Sequence, residues 1–254
     1  MTDSDLLIDL HARNPRQAPG SDEETRRALA LARLHDRARL DVADMGCGTG
    51  GSTLVLARAL DAHITAIDAA PAFVEHLRSR AEKEGLGSRI TARTGNMESP
   101  GFDEESLDLI WSEGAIYNIG FERGVRDWYR LLRPGGVLCV SELSWTTRDR
   151  PSPVQAYWTG EYPGISTPCE NLATLERSGY APLGCFFLPG SCWEQEYFTP
   201  LRAGFDGFLE RHAGSETASR IVQAERDEMR LYERFGAYYG YAFYIAQRPD
   251  SAEG

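Results

Sequence analysis

Short apolar runs alternate with amphipathic stretches between residues 40 and 145. The short runs are rich in β-branched side chains and predict buried strands, whereas the longer stretches have the periodicity of helices. The predicted strands are Leu40–Met45, His63–Asp68, Arg89–Thr94, Ser106–Ser112 and Val137–Leu143, with helices at Ser52–Leu60, Pro71–Glu84 and Glu122–Leu132. This alternation predicts βαβ units, which imply parallel strands and right-handed crossovers.

Capping residues, proline and glycine mark the expected helix ends. Ser21, with Glu24 three residues later, predicts a capping box in front of a helix at Thr25–His35. The run Arg133-Pro134-Gly135-Gly136 is expected to end the helix before it, because proline cannot continue a helix and glycine permits the turn.

The regular alternation stops after Ser144. Residues 145–168 combine prolines, glycines and aromatic residues with little periodicity, so we expect an ordered lid loop over 144–168. The elements predicted beyond it are a helix at Glu170–Ser178 ended by Gly179, a strand at Ala181–Leu188, helices at Pro200–His212 and Glu216–Phe235, and a last strand at Tyr238–Gln247.

The predicted fold class is α/β, a doubly wound, seven-stranded and mostly parallel sheet with an antiparallel last strand. We expect one domain over residues 1–254, with an N-terminal lid or helix at 1–36, a core at 40–145 and a helical insertion at 189–236 before the last strand.

Composition limits the classes of partner and the cellular compartment that we expect for this chain. The formal charge of −11 repels phosphate backbones, so we expect no nucleic-acid partner. No apolar stretch is long enough for a membrane span and the first residues are acidic, which favours a cytoplasmic protein. The five cysteines form no CxxC motif and the five histidines do not cluster, so neither a disulfide framework nor a metal site is expected.

A glycine-rich turn, DMGCGTGG at residues 44–51, follows the first predicted strand. Without Cβ atoms, backbone N–H groups can approach a ligand closely at a helix start. The spacing G-x-G-x-x-G from Gly46 to Gly51 fits a dinucleotide site, whereas D-x-G-x-G-x-G from Asp44 to Gly50 fits an S-adenosylmethionine site. In both interpretations Asp68, at the end of the second strand, would bind ribose hydroxyls.

The carboxylate of Asp44 favours the second interpretation, because it would repel a pyrophosphate and attract the ammonium group of a methionine moiety. Two further motifs follow downstream, GNME at residues 95–98 and LLRPGG at residues 131–136. Together the three motifs resemble the class I S-adenosylmethionine-dependent methyltransferases, especially the small-molecule group that includes quinone-biosynthesis enzymes. The segments SEGAIYNIGF (112–121) and YYGYAFYIAQ (238–247) are similar to a bacterial subgroup of methyltransferases with unassigned acceptors.

The resemblance covers residues 40–145 and implies a set of cofactor contacts. The residues implied are Asp44, Gly46, Cys47, Gly48, Gly50, Asp68, Ala69, Asn96, Met97 and Ser112. Asp44 and the glycine backbone would hold the methionine end, Asp68 the ribose, and Ala69 and Met97 the faces of the adenine. At Asn96 many relatives carry an aspartate; an amide carbonyl could accept from the adenine amino group in the same way.

Catalytic and acceptor candidates are less well defined by the sequence. A general base is useful only if the acceptor is neutral, and the candidates are Glu113, Tyr117 and His11, the last in a segment that could close over the cofactor. Glu113 could instead pair with a neighbouring arginine. The acceptor candidates are the aromatic residues Tyr117, Tyr157, Trp158, Trp193 and Tyr197, each of which could equally pack in the core or the lid.

The expected activity is methyl transfer from S-adenosylmethionine to a small molecule by in-line displacement, with S-adenosylhomocysteine as the product. Two alternatives stay open. One is an NAD-dependent oxidoreductase, opposed by Asp44 and by the lack of a Tyr-x-x-x-Lys pair around Lys83, the sole lysine. The other is a non-catalytic protein that binds S-adenosylmethionine or S-adenosylhomocysteine. The sequence also leaves a homodimer open.

Overall fold

One seven-stranded sheet organises the protein, for which a computed structural model describes residues 2–34 and 36–250. The strands are β1 Leu40–Met45, β2 Ala62–Asp68, β3 Ile90–Thr94, β4 Leu107–Ser112, β5 Leu132–Trp145, β6 Ala181–Phe187 and β7 Tyr239–Gln247. Their order is β3-β2-β1-β4-β5-β7-β6, with parallel pairing from β3 to β5 and antiparallel pairing of β7 to both neighbours. The predicted fold class is confirmed.

Helices pack on both faces of this sheet. They are α1 Asp3–His11, α2 Asp22–Ala32, α3 Gly51–Ala59, α4 Pro71–Lys83, α5 Phe121–Tyr129, α6 Ser152–Glu161, α7 Pro168–Arg177, α8 Gly190–Trp193, α9 Thr199–Arg211 and α10 Glu216–Phe235, with a π-helix at Glu194–Phe198. Successive strand residues lie in two different apolar clusters: Val42 belongs to one and Ala43 to the other. Within the described part of the chain, no helix is both long and apolar enough to cross a bilayer.

The helix predicted at Thr25–His35 begins and ends earlier than expected. Its N-cap is Ser21, whose hydroxyl accepts from the Glu24 N–H at 3.1 Å, but the Glu24 carboxylate pairs with Arg27 instead of completing a capping box. The helix ends at Ala32 because Arg33 takes a left-handed conformation (φ 55°). His35, the predicted last residue, lies outside the described residues.

The Arg133–Gly136 run does not end a helix, and that prediction was wrong. Helix α5 stops at Tyr129 because the next carbonyl groups turn to the neighbouring strand: Arg130 O accepts from Glu105 N and Leu131 O from Ser106 N. The run lies inside β5. A register shift between Leu107 and Leu109 of β4 accommodates it.

The predicted lid loop at 144–168 contains a ten-residue helix, α6, which the loop prediction missed. It begins directly after Pro151 and buries Val154 and Trp158. Proline and glycine in this segment lie mainly near the helix ends, which obscured its period in the sequence. The N-terminal segment is also helical: α1 has a full capping box between Thr2 and Asp5.

Candidate functional site

A cavity of about 790 Å³ lies at the carboxyl ends of β1 to β4, where ligands bind in doubly wound sheets. One group of its lining residues comes from the loops after these strands, at 46–48, 68–70, 95–98 and 113–115. A second group comes from outside the sheet: the N-terminal segment, the π-helix and α10. The cavity is therefore built from the strand ends and from segments that flank the core in sequence.

The glycine-rich loop after β1 makes a tight turn that the N-terminal segment covers. Gly46 and Gly48 have φ angles of 77° and 53°, and a Cβ at Gly48 would collide with Gln17 Oε1. The Gln17 side chain is held there by Thr49, whose N–H donates to Gln17 Oε1 at 2.8 Å. These contacts fix the N-terminal segment against the loop.

The start of α3 also faces the cavity. Its N-cap, Gly50, has no side-chain cap, and Gly51 and Ser52 line the cavity. The first N–H groups of a helix lack intrahelical partners and carry partial positive charge. This end of the cavity is therefore suited to a carboxylate. Gly50 itself does not line the cavity; it turns the chain into α3 at φ 87°.

Asp68 lies in the cavity with a fixed orientation. One carboxylate oxygen accepts from the Gly48 N–H at 2.9 Å and the other from the Ala70 N–H at 2.8 Å. Burial raises the pKa of Asp68, and the backbone donors oppose that rise. Each oxygen keeps lone-pair capacity toward the cavity, as hydrogen bonds to ribose hydroxyls require.

Asp44 is fully buried and is not among the residues that line the cavity. Its Oδ2 accepts from the hydroxyls of Ser52 and Thr53 at 3.0 and 2.6 Å, whereas Oδ1 has no hydrogen-bond partner. Burial raises the pKa of Asp44 to about 7, against the lowering effect of the two hydroxyls. The structure thus joins Asp44 to the first turn of α3 and gives it no direct exposure to the cavity.

The other predicted cofactor residues divide into two groups. Cys47, Ala69, Asn96 and Met97 line the cavity. Asn96 Oδ1 already accepts from the Glu98 N–H at 2.9 Å, so one lone pair remains for another donor. Ser112 does not line the cavity because its hydroxyl donates to Met45 O at 2.8 Å, which ties β4 to β1.

Glu113 reaches the cavity, but its carboxylate is fully engaged. Oε1 accepts from Arg16 at 2.6 Å, and Oε2 accepts from Thr25 and Trp111 at 2.9 and 3.3 Å. Burial raises the pKa of Glu113 and the Arg16 guanidinium lowers it. This is the arginine pairing that the sequence left as an alternative, so Glu113 is placed to anchor the N-terminal segment and not as a free base.

A cluster of four side chains, which we call the acidic side, lines the cavity from elements outside the sheet. Its members are His11, Tyr197, Glu225 and Glu228. His11 Nε2 lies 3.2 Å from Glu225 Oε1, and the His11 and Tyr197 rings stack with centroids 6.2 Å apart. Two of these residues, His11 and Tyr197, were predicted from the sequence.

The aromatic candidates do not all reach the cavity. Tyr117 lines it and is 40% exposed. Trp193 is 1% exposed and stacks on Tyr232 at 4.4 Å, and Trp158 packs edge-on against both Tyr157 and Tyr239. Tyr157, Trp158 and Trp193 pack against other aromatic rings, and none of the three lines the cavity.

Several cavity residues were missed in the sequence: Arg16, Gln17, Glu225 and Glu228. Arg16 and Gln17 lie in an irregular segment that gives no periodic signal. Glu225 did have a periodic signal, because it follows the buried Val222 by three residues and precedes the buried Met229 by four. An acid on the apolar face of a helix indicates burial or a ligand contact.

Comparison with known proteins decides between the two interpretations of the glycine motif. Residues 42–136 match the family described as "Methyltransferase domain". Residues 42–136 of this chain form a methyltransferase domain. The resemblance recognised in the three sequence motifs is confirmed, and the oxidoreductase alternative is not supported.

Two characterised methyltransferases are similar to this chain over different lengths. The chain is 37% identical over 115 residues to 2-methyl-6-phytyl-1,4-hydroquinone methyltransferase 2, chloroplastic, of Oryza sativa subsp. japonica, over 44% of this chain and 32% of that protein. It is 26% identical over 271 residues to 27-O-demethylrifamycin SV methyltransferase of Amycolatopsis mediterranei, over 97% and 94% of the two chains. The match thus spans about a third of the plant enzyme.

A methyltransferase from Geobacter sulfurreducens, solved in complex with S-adenosyl-L-homocysteine, superposes with a TM-score of 0.81 at 20% identity. The match covers 95% of this chain and 97% of that one. The two proteins therefore share the whole fold, including the part after the matched family region.

Proposed function

We propose that this methyltransferase domain transfers a methyl group from S-adenosylmethionine to a small-molecule acceptor. The observation that carries the proposal is the cavity at the strand ends, where the glycine loop, the uncapped start of α3 and Asp68 lie together in a chain of this family. The relatives named above act on small molecules by their names, which supports the same class of acceptor here.

The residues of the cavity fit S-adenosylmethionine. The N–H groups at the start of α3 suit its carboxylate, and the free lone pairs of Asp68 suit its ribose hydroxyls. Ala69, Asn96 and Met97, which line the same cavity, suit the adenine. Asp44 would act indirectly, by holding the Ser52 and Thr53 hydroxyls at the first turn of α3.

When bound, S-adenosylmethionine supplies a methyl group activated by a positively charged sulfur. The chain then needs chiefly to align the acceptor and to exclude water. The N-terminal segment serves the second task, because Gln17 fastens it to the glycine loop and Arg16 to the end of β4. We propose Tyr117 and Tyr197 as acceptor contacts, since both line the cavity outside the glycine loop.

Calorimetry with S-adenosylhomocysteine and NAD tests the cofactor. We expect S-adenosylhomocysteine to bind and NAD not to bind, and the reverse result would overturn the proposal. Turnover is tested with isotopically labelled S-adenosylmethionine and a metabolite extract, followed by mass spectrometry. A labelled product supports methyl transfer; binding without any labelled product in extracts that contain amines, phenols and acids would indicate a non-catalytic binding protein.

We further propose that the protein works in the cytoplasm. All five cysteines have free thiols, and Cys47, Cys139 and Cys192 are buried, as is expected in a reducing compartment. Fractionation of the source cells tests this location. The homodimer that the sequence leaves open is tested by light scattering on the purified protein.

A further inference from the structure

The acidic side of the cavity brings two carboxyl groups together with one imidazole, that of His11, which of the two contacts only Glu225. Glu225 and Glu228 lie three residues apart on α10, so their side chains share one face of the helix. Glu225 Oε1 faces His11, and its buried Oε2 has no hydrogen-bond partner. Among the described residues, Glu228 has neither a hydrogen bond nor an ion pair.

The rest of the described cavity lining provides no basic side chain that is free to pair with these carboxyl groups. Arg16 is the only arginine among the described lining residues, and its guanidinium is occupied by Glu113 and Asp22 at 2.6 and 3.0 Å. Burial raises the pKa of Glu228 to about 8, and the neighbouring carboxyl groups of Glu225 and Glu161 add to this rise. The Glu228 carboxylate is half-buried and unpartnered, so it loses part of its hydration, and a cationic ligand in the cavity would stabilise its charged form.

Aromatic rings complete this part of the cavity. Tyr197 is 7% exposed, lines the cavity and has no hydrogen-bond partner for its hydroxyl within the described chain. It is carried by the π-helix Glu194–Phe198, a rare element that often occurs at functional sites. Tyr117 adds a second ring from the loop after β4. Ring faces next to carboxylates are the chemistry that proteins use to bind ammonium groups.

We infer that the acceptor is an amine, which binds as an ammonium ion between Glu225, Glu228 and the ring of Tyr197. This inference rests on the proposed function and names the substrate class for the same cavity.

An ammonium ion has no lone pair, so it must lose a proton before it can be methylated. The Glu228 carboxylate accepts that proton and becomes a neutral acid. The freed nitrogen lone pair then forms the N–C bond as the C–S bond breaks, which leaves a methylated ammonium and neutral S-adenosylhomocysteine. Charge balances, because one proton moves to Glu228 and the positive charge of the sulfur passes to the product nitrogen.

The sulfonium of the cofactor is a second cation that these carboxylates could serve. Comparing S-adenosylmethionine with S-adenosylhomocysteine distinguishes a sulfonium role from an amine role, because S-adenosylhomocysteine lacks the positive charge. If Glu228 serves the sulfonium, Glu228→Gln weakens S-adenosylmethionine binding and leaves S-adenosylhomocysteine and amine binding unchanged.

The test uses probes of matched shape and different charge. Phenethylamine, 2-phenylethanol and 3-phenylpropionate, with the smaller set butylamine, 1-butanol and butyrate, are titrated by calorimetry into protein saturated with S-adenosylhomocysteine. We expect at least one amine to bind about tenfold or more tightly than its alcohol and acid. Glu228→Gln and Glu225→Gln should each remove that preference, whereas Glu233→Gln, an exposed position on the same helix, should retain it.

The outcomes distinguish the inference from the proposed function. If S-adenosylhomocysteine does not bind, the proposed function fails. If it binds and neither amine is preferred over its alcohol, or if the preference survives Glu228→Gln and Glu225→Gln, the amine inference is wrong while the proposed function stands. The inference is also wrong if Glu228→Gln weakens only S-adenosylmethionine binding and leaves S-adenosylhomocysteine and amine binding unchanged.

Discussion

Arg16 Nη1 donates a hydrogen bond of 2.6 Å to Glu113 Oε1, so the N-terminal segment is joined to the end of β4 across 97 positions of sequence. Both side chains are nearly buried, at 9% and 5% exposure. The pair borders the cavity on the side where the N-terminal segment crosses it. It is therefore a positioning contact for that segment.

Removing one partner of this pair should be costly. Arg16→Met leaves the Glu113 carboxylate buried without its cation, which should lower the free energy of unfolding by about 3 kcal/mol in urea denaturation. Adding Glu113→Gln should recover part of the loss. Arg26→Met is the control, because Arg26 is exposed and lies 3.6 Å from Asp22; its cost should stay below about 1 kcal/mol. Equal losses for Arg16 and Arg26 would contradict the positioning role.

Asp68→Asn should weaken S-adenosylhomocysteine binding by about 1.5–3 kcal/mol, the range for a hydrogen bond to a charged group. The amide is isosteric, but its NH2 group would face one of the two backbone N–H groups that the carboxylate accepts from, so the melting temperature without ligand should also fall and binding is measured well below it. Calorimetry measures the dissociation constant. Asp61→Asn, at the opposite end of β2, is the matched control and should bind as the parent does. An unchanged dissociation constant for Asp68→Asn would remove the ribose assignment.

Glu142 gives a pH dependence of stability. It is 1% exposed, neither oxygen has a hydrogen-bond partner, and burial raises its pKa from 4.5 to about 8, only partly opposed by Tyr162. Between these values the folded protein holds a proton that the unfolded chain releases. Its contribution to stability is therefore complete below pH 4.5 and is lost as the pH rises to about 8, by about 1.4 kcal/mol per pH unit.

Glu142→Gln should abolish that dependence. In urea denaturation from pH 5 to pH 8, the variant should gain stability relative to the parent as the pH rises. Glu210→Gln, at an exposed position of α9, should follow the parent at every pH. A constant difference between Glu142→Gln and the parent would show that this carboxyl group keeps its ordinary titration.

Variants at Trp193 and Tyr117 should have different effects, the first on stability and the second on acceptor binding. Trp193→Ala removes a buried ring that stacks on Tyr232, so the free energy of unfolding should fall by about 3–5 kcal/mol. Tyr117→Phe should barely change stability but should lower turnover or raise the Michaelis constant of the acceptor. Both variants should keep S-adenosylhomocysteine affinity within about threefold. An intact Trp193→Ala protein with altered acceptor kinetics would return Trp193 to the acceptor site.

The sequence predicted the class of the sheet and most of its strands well because these signals are local. Strand β1 has the predicted bounds Leu40–Met45, set by a short run of mostly apolar residues that ends at the glycine-rich turn. Helix α10 also matches its prediction, Glu216–Phe235, and begins at the capping side chain of Ser215. Each signal lies within the element it defines, so no knowledge of neighbours is needed.

Most of the acidic side and the anchor at Arg16 depend on contacts between distant segments. Nothing near Arg16 in sequence indicates that Glu113 is its partner, and nothing near Glu225 indicates His11. The same limit explains the error at α5: its end is set by hydrogen bonds from Glu105 and Ser106, which belong to the preceding strand region. Periodicity predicts that a residue is buried but not what it contacts.

The position of β7 between β5 and β6 has a consequence for synthesis on the ribosome. β6 is made about 50 residues before β7, yet its only strand neighbour in the described sheet is β7. Until residues 239–247 emerge, one edge of β5 and the edge of β6 that pairs with β7 lack their partner, and open edges are templates for aggregation. A nascent chain stalled before residue 239 should therefore depend on chaperones more than one stalled after residue 247.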